Sequence, residues 1–273
     1  MKFREKLSRI VQKNNSMVCV GLDPDPQKMP VTNTFDFCKH IIDSTSDLVA
    51  AFKPNLAFFE AMGIEGLSEL KKIVEYLQIQ YPEILIIGDG KRGDIDSTSE
   101  KYAYSMFDYW GFDVVTVNAF AGFDGIEPFL KYEDKGVFVW CKSSNQSGIE
   151  IQDVDLLNNS GKFFHHLAKK CVEWDFNSNL GLVVGATFPE ELKEVRLLAP
   201  NVPILLPGVG SQQGDLRLSI NYGFNGNSDS MLISSSRSII YASSDENSFG
   251  DSARKACDNL RIQINDLLSV DMN

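Results

Sequence analysis

A dense group of charged residues follows an apolar run in residues 84–98, ILIIGDGKRGDIDST. The run has the composition of a buried strand, and Asp89, Lys91 and Asp94 come directly after it. Residues two apart in a strand point the same way, so Asp89 and Lys91 are expected on one face, with Asp94 in the turn before a helix. Packing opposite charges this closely gains little stability, because the cost of desolvation offsets the attraction. The pattern therefore favours a catalytic or binding role over an ordinary solvated turn.

Two earlier apolar runs also carry charged residues near their ends. VCVGLD ends at Asp23, and LVAAFKPN contains Lys53. Neighbouring strands lie about 4.8 Å apart, so Asp23, Lys53, Asp89 and Lys91 are expected to line one opening. Asp23 or Lys53 alone is equally well explained as a turn cap or as a lysine that extends to solvent. Four charged residues at matching depth favour a site.

The C-terminal part of the chain has the features of an anion site. Residues 207–215, PGVGSQQGD, form a glycine-rich turn, and the last apolar run closes with Ser236 and Arg237. Glycine turns expose backbone N–H groups, and arginine binds phosphate through two parallel hydrogen bonds. We expect a bound phosphate here. The alternative is a structural turn beside a surface arginine.

Eight apolar runs, followed by helical patterns, must position these residues. The runs are continuous rather than alternating, which indicates parallel strands covered on both sides. Eight such units in 273 residues predict an α/β fold, a closed (β/α)8 TIM barrel forming a single domain over residues 1–273, with its chemistry at the carboxyl ends of the strands. An open, doubly wound sheet is the alternative. The predicted strands are 18–23, 48–55, 84 onward, 113–120, 136–144, 180–187, 202–210 and 230–237.

The composition excludes several classes of partner. A net charge of −11 argues against nucleic acid or an anionic membrane, since both need basic surface. The five cysteines form no C-x-x-C pair, which is typical of free thiols in a reducing compartment. The N-terminus lacks the apolar core of a signal peptide, and no run approaches the ~18 apolar residues of a membrane span. We expect a cytoplasmic protein.

The motifs of several common enzyme classes are absent from the sequence. His40, His165 and His166 do not end strands, and no Gly-x-Ser-x-Gly, P-loop or Rossmann pattern occurs. Nor is there a motif for a pyridoxal or thiamine electron sink. We therefore expect chemistry that depends on lysines, carboxylates and a bound phosphate, with no metal and no cofactor.

Asp89-x-Lys91-x-x-Asp94, followed by Ile95 and Thr98, closely resembles the signature of the orotidine 5'-phosphate decarboxylase family, in the form of its bacterial "type 2" branch. The resemblance implies a carboxy-lyase of pyrimidine biosynthesis that converts orotidine 5'-phosphate (OMP) to UMP and CO2 without a cofactor. It extends along the whole chain, through Asp23, Lys53, Ser144, the Pro207-Gly208-Val209-Gly210-x-Gln212 turn and Ser236-Arg237.

The same resemblance implies the roles of the catalytic residues. Lys91 would deliver a proton to C6 of the pyrimidine. Asp89 would face the departing carboxylate, with Lys53 between it and the ribose. Asp89 and Asp94 would keep Lys91 protonated and in place.

It also implies the binding residues. Asp23 would bind a ribose hydroxyl and Ser144 the amide edge of the pyrimidine, while Gln212 and Arg237, with the turn that starts at Pro207, would hold the phosphate. Asp94, Ile95 and Thr98 would reach into the site of a partner subunit, which implies an obligate homodimer. Ser236 departs from the pattern, because many relatives carry glycine before the arginine.

Two other functions fit parts of this pattern. Sugar-phosphate decarboxylases and hexulose-phosphate synthases of the same superfamily share Asp-x-Lys-x-x-Asp, but they resemble Mg²⁺-dependent enzymes and carry a glutamate in place of Lys53. A lysine there repels a divalent cation. A non-catalytic nucleotide-binding barrel would bind UMP without releasing CO2.

Overall fold

Eight parallel strands close into one barrel in the order of the chain. Val18 of the first strand pairs with Ile233 of the last, so the predicted TIM barrel is confirmed and the open sheet is excluded. The computed structural model describes residues 1–157, 161–209 and 214–270. The strands are β1 (Val18–Leu22), β2 (Ala51–Pro54), β3 (Leu85–Arg92), β4 (Val114–Val117), β5 (Gly136–Lys142), β6 (Leu180–Val184), β7 (Ile204–Pro207) and β8 (Met231–Ser235).

Every strand lies within its predicted run, but most are shorter at the carboxyl end. Asp23, Ser144 and Arg237 consequently lie just beyond β1, β5 and β8 rather than inside them. Residues that follow a parallel strand stand at the rim of the barrel, where side chains can reach a ligand.

Helices cover the outside of the barrel. They are α1 (Phe3–Asn14), α2 (Thr34–Thr45), α3 (Leu56–Ala61), α4 (Gly63–Gln80), α5 (Asp96–Tyr104), α6 (Phe123–Leu130), α7 (Ile149–Gln152), α8 (Phe163–Trp174), α9 (Pro189–Leu198), α10 (Leu216–Gly223), α11 (Arg237–Ile240) and α12 (Phe249–Val270). Within the described residues, no helix is long and apolar enough to cross a membrane.

Two of the helical segments are interrupted. After β2 the chain forms two helices, α3 and α4, because Gly63 takes a left-handed φ of +69° that glycine adopts without steric cost. The helix predicted after Asp94 begins at Asp96, and it is followed by a π-helical turn over Ser105–Tyr109.

The end of the barrel opposite the charged residues is closed by α1. The ring of Phe3 packs edge-on against Phe138 of β5, with ring centroids 5.8 Å apart. Gly136 makes room for that ring, since a Cβ there would lie 2.7 Å from it. Elsewhere in the core, all five cysteines are buried and free, as the sequence predicts.

Candidate active site

A cavity of about 250 Å³ opens at the carboxyl ends of the strands. Its walls combine charged residues at the ends of β1, β2 and β3 with the loops that follow β5, β7 and β8. The predicted site residues that line it are Asp23, Lys53, Asp89, Lys91, Ser144, Pro207 and Arg237. The fold therefore brings together, in one cavity, residues that the sequence identified at each of these strand ends.

Asp89 stands at the centre of the charged wall, between two lysines. Lys53 Nζ donates to Asp89 Oδ2 and Lys91 Nζ donates to Asp89 Oδ1, both at 2.7 Å. Thr116 Oγ1 donates to the same Oδ1 at 2.9 Å. With three donors on its two oxygens, the carboxylate is fixed in position.

The two lysines differ in their access to the cavity. The Lys53 side chain is 6% exposed, whereas that of Lys91 is 37% exposed. The Lys91 ammonium also lies 5.7 Å from the centre of the Trp140 ring, within range of a cation–π attraction. Lys91 is thus the amine that a ligand can reach, and Lys53 is the buried counter-charge.

The neighbouring charges shift the pKa values of Asp89 and Lys53 in the directions that keep both side chains ionised. Burial alone raises the pKa of Asp89, but the charges of Lys53 and Lys91 outweigh it and hold that pKa well below its ordinary value. Burial alone lowers the pKa of Lys53, but Asp89 and Asp23 outweigh it and raise that pKa. The buried pair therefore carries both charges at neutral pH.

A bulge in β3 places Asp89 and Lys91. Gly88 pairs with Val115 and Arg92 with Val117, so three residues, Asp89 to Lys91, stand opposite Thr116 alone. Lys91 adopts a left-handed φ of +43°, which is unusual for a residue with a long side chain. The side chains of Asp89 and Lys91 meet, as predicted, but a bulge brings them together and not the alternation of a regular strand on which the prediction rested.

Asp23 presents an unused acceptor. Its Oδ1 is buried and accepts no hydrogen bond within the described residues. Its backbone carbonyl accepts from the hydroxyl of Tyr241 at 2.9 Å, which fixes the turn. A buried carboxylate oxygen without a donor costs free energy, so this atom is suited to a hydroxyl of a ligand.

Close backbone packing fixes the residues that follow β5. Gly185, after β6, lies so near Ser144 that a Cβ on it would be 2.6 Å from the Ser144 backbone. Thr187 Oγ1 donates to the Ser144 carbonyl at 2.8 Å. The side chain of Ser144 is thereby held at the rim of the cavity.

The loops after β7 and β8 form the other wall. Gly208 takes a φ of +100°, and the N–H of Gly214 donates to its carbonyl at 3.1 Å, which brings the two ends of this loop together. Gln212 lies outside the described residues. Arg237 has no ion pair in the part of the chain that the structure describes, so its charge is available to an anion.

Ser236, the departure from the family pattern, is accommodated by Gly21 of β1. A Cβ on Gly21 would lie 1.8 Å from Ser236 Oγ, so the serine occupies the space that the glycine leaves open. Ser236 nevertheless lines the cavity.

Asp94, Ile95 and Thr98 do not line the cavity of their own chain. Asp94 Oδ1 accepts from the N–H of Ile95 at 2.7 Å, and Ile95 is 53% exposed at the start of α5. Thr98 is also exposed. The structure thus separates these three residues from the group around Asp89.

Sequence reasoning missed several residues of the cavity wall. They include Asn55, Thr116, Trp140, Ser143 and Asn145. Their positions near strand ends were the available signal, but uncharged residues there are too common to stand out. Within the described residues, no group of three or more His, Cys, Asp or Glu side chains converges as a metal site would require.

A family model and a curated relative that match most of the chain carry the same name. The model of the orotidine 5'-phosphate decarboxylase / HUMPS family matches residues 16–249. The orotidine 5'-phosphate decarboxylase of Ralstonia pickettii is 42% identical over 273 residues, which cover 97% of this chain and 98% of the relative.

Two solved structures from Leishmania donovani are also similar. An OMP decarboxylase is 34% identical with a TM-score of 0.86, and the match covers 98% of both chains. A UMP synthase is 35% identical with a TM-score of 0.88; the match covers 98% of this chain but spans only 56% of the UMP synthase.

Proposed function

The chain belongs to the orotidine 5'-phosphate decarboxylase / HUMPS family, and from this premise we propose that it converts OMP to UMP and CO2 in pyrimidine biosynthesis, with Lys91 as the proton donor. The observation that carries this proposal is the Asp89 carboxylate held between Lys53 and Lys91 beside the cavity. In this arrangement Lys91 supplies an ammonium group of fixed position where a carbanion would form.

The chemistry requires such a group. When the bond from C6 to the carboxylate breaks, CO2 leaves and the electron pair stays on C6, in the plane of the ring, where no adjacent carbonyl can absorb it. An ammonium beside this charge stabilises it, most strongly where water is excluded. Lys91 then transfers a proton from Nζ to C6, which gives UMP, and recovers a proton from solvent.

Asp89 serves this step in two ways. It fixes the position of the Lys91 amine through the 2.7 Å hydrogen bond. It also faces the substrate carboxylate, a like charge that raises the energy of the bound substrate relative to the transition state. Lys53 holds Asp89 from the buried side and stands between it and the ribose.

The other walls of the cavity bind the ribose, the amide edge of the pyrimidine and the phosphate. Asp23, with its unsatisfied Oδ1, binds a ribose hydroxyl, and Ser144 binds the amide edge of the pyrimidine. Arg237, Gln212 and the turn at Pro207 bind the phosphate. Energy from phosphate binding far from C6 becomes available for the reaction at the ring.

We further propose a homodimer located in the cytoplasm. Asp94, Ile95 and Thr98 lie away from their own cavity, which fits a contribution of these residues to the site of the partner subunit. The five free, buried cysteines fit a reducing compartment.

A direct assay tests the proposed function. OMP is added to the purified protein in the presence of EDTA, and the ultraviolet absorbance of the pyrimidine is followed. We expect conversion to UMP that EDTA does not affect. Loss of activity with EDTA would instead favour the Mg²⁺-dependent relatives, and binding of UMP without release of CO2 would favour a non-catalytic barrel.

A further inference from the structure

A second buried lysine lies behind the site and has no part in the chemistry above. Lys142, the last residue of β5, is completely buried. Its Nζ forms an ion pair with Asp153 and lies 4.6 Å from the centre of the Phe188 ring and 5.3 Å from that of Phe164. Because a buried ammonium is costly without a partner, Asp153 is held close to Lys142.

An irregularity in β5 turns Lys142 away from the substrate. Trp140 pairs with Val183 and Lys142 with Val184, so two steps along β5 match one step along β6. In a regular strand Trp140 and Lys142 would share a face. Instead Trp140 lines the cavity, whereas the amine of Lys142 lies near Phe164 of α8, outside the barrel.

The ion pair joins the two ends of the segment 143–153, which carries Ser144 and Asn145 into the cavity wall. A second contact joins the same ends. The Oε1 of Gln152 accepts from the N–H and the hydroxyl of Ser143 at 2.9 and 3.0 Å. Segment 143–153 is therefore a closed loop, and Lys142 is its buried attachment.

We propose that Lys142 is a positioning residue for this site, which through Asp153 holds segment 143–153 closed so that Ser144 and Asn145 are in place before the nucleobase binds. The inference rests on the proposed function, in which Ser144 meets the pyrimidine. A loop that is ordered in advance lowers the entropic cost of binding. Lys91 and Asp89 are on a different strand, so loss of the attachment weakens substrate binding more than it slows the chemical step.

The chain offers a matched control on the same carboxylate. Lys162 Nζ lies 3.4 Å from Asp153 Oδ2, but its side chain is 38% exposed, against 0% for Lys142. An exposed pair contributes little because water screens it. Lys162→Met therefore removes a charge beside Asp153 without removing the buried attachment.

The experiment compares Lys142→Met, Asp153→Asn and Lys162→Met. For the first two we expect KM for OMP to rise about tenfold or more while kcat stays within about threefold of the wild-type value. Amide hydrogen exchange in segment 143–153 is expected to accelerate in the same two variants and to stay unchanged in β3. Lys162→Met is expected to change KM and exchange by less than about twofold.

Three results would overturn the proposal: an unchanged KM in both Lys142→Met and Asp153→Asn, an equal effect of Lys162→Met, or lost thermal stability with normal KM and normal exchange. If Lys142→Met fails to fold, Asp153→Asn decides alone, since its side chain is at the surface end of the pair. If the wild-type protein does not convert OMP, the proposed function fails, whereas the exchange measurements still test the attachment.

Discussion

The backbone N–H of Lys91 donates to the side-chain oxygen of Thr116 at 2.9 Å. The same hydroxyl donates to Asp89, so Thr116 supports both the left-handed backbone of Lys91 and the carboxylate that its amine binds. A conformation of this kind costs about 1–3 kcal/mol. This backbone directs the amine into the cavity, and the bulge opposite Thr116 is therefore part of the candidate site.

Replacing Lys91 by alanine is expected to remove the proton donor and leave the binding site in place. We predict a fall in kcat of at least about 10³-fold, since general acid catalysis and charge stabilisation are lost together. The dissociation constant for UMP, measured by calorimetry, should change only a few fold. Lys72→Ala, which removes an exposed lysine paired with Glu69, is the control. Near-normal turnover in Lys91→Ala would refute the proton-donor role.

Arg237→Ala tests the phosphate assignment. Loss of a charge-assisted hydrogen bond should cost about 1.5–3 kcal/mol, which lowers kcat/KM roughly 10- to 150-fold. The effect should disappear for a substrate that lacks the phosphate, because that substrate does not use the arginine. Arg254→Ala, which removes a surface arginine bound to Asp47, should leave kcat/KM unchanged. Equal kcat/KM in Arg237→Ala and the wild type would mean that phosphate binds elsewhere.

The proposed contribution of Asp94 to a partner subunit is tested by mixing two inactive proteins. Lys91→Ala and Asp94→Ala subunits are unfolded, combined and refolded in equal amounts. If Asp94 acts across the interface, each mixed dimer has one complete site, and activity should return to about one quarter of the wild-type value. If Asp94 acts within its own chain, no site is complete and activity stays at the level of the parents. Full activity in a monomeric variant would also contradict the proposal.

The pKa shift of Asp89 predicts how stability depends on pH. Its pKa in the folded protein lies below the ordinary value of about 3.9, so the unfolded chain takes up the proton first as the pH falls. The contribution of this carboxylate is therefore complete above about pH 4 and is lost as the pH falls through the folded value. We expect Asp89→Asn to lower the free energy of unfolding by about 3–5 kcal/mol at pH 7, because Lys53 remains buried without its bound carboxylate.

That difference should narrow as the pH falls below about 4, because the unfolded wild-type chain then binds a proton at Asp89 that the folded protein does not yet bind. Urea denaturation at pH 7, 5 and 3 measures it. Asp47→Asn, at an exposed ion pair, should show a small and nearly constant difference. A deficit in Asp89→Asn that does not narrow between pH 5 and pH 3 would show that the loss is steric rather than electrostatic.

The sequence predicted the barrel and most of its charged wall, because both depend on local patterns. Continuous apolar runs identify buried parallel strands, and charged residues at their ends are too costly to be common by chance. Asp23, Lys53, Asp89 and Lys91 could therefore be found without a structure.

The bulges could not be predicted, because a bulge is defined by the pairing of two strands. The sequence of one strand does not show which residues of its neighbour it pairs with. Nothing in the sequence around Lys142 indicates that its amine lies outside the barrel, since a regular strand would direct it inward with Trp140. Thr116 escaped notice for a related reason, as its role comes from a contact with Lys91 that only the bulge creates.

The pairing of Val18 with Ile233 has a consequence for biosynthesis of the molecule. The charged wall comes from the first strands to leave the ribosome and Arg237 follows the last, so a nascent chain contains Lys91 long before it contains Arg237. Nucleotide can therefore bind and stabilise only the closed barrel. Ligand present during refolding should stabilise complete barrels and leave partly folded ones unaffected.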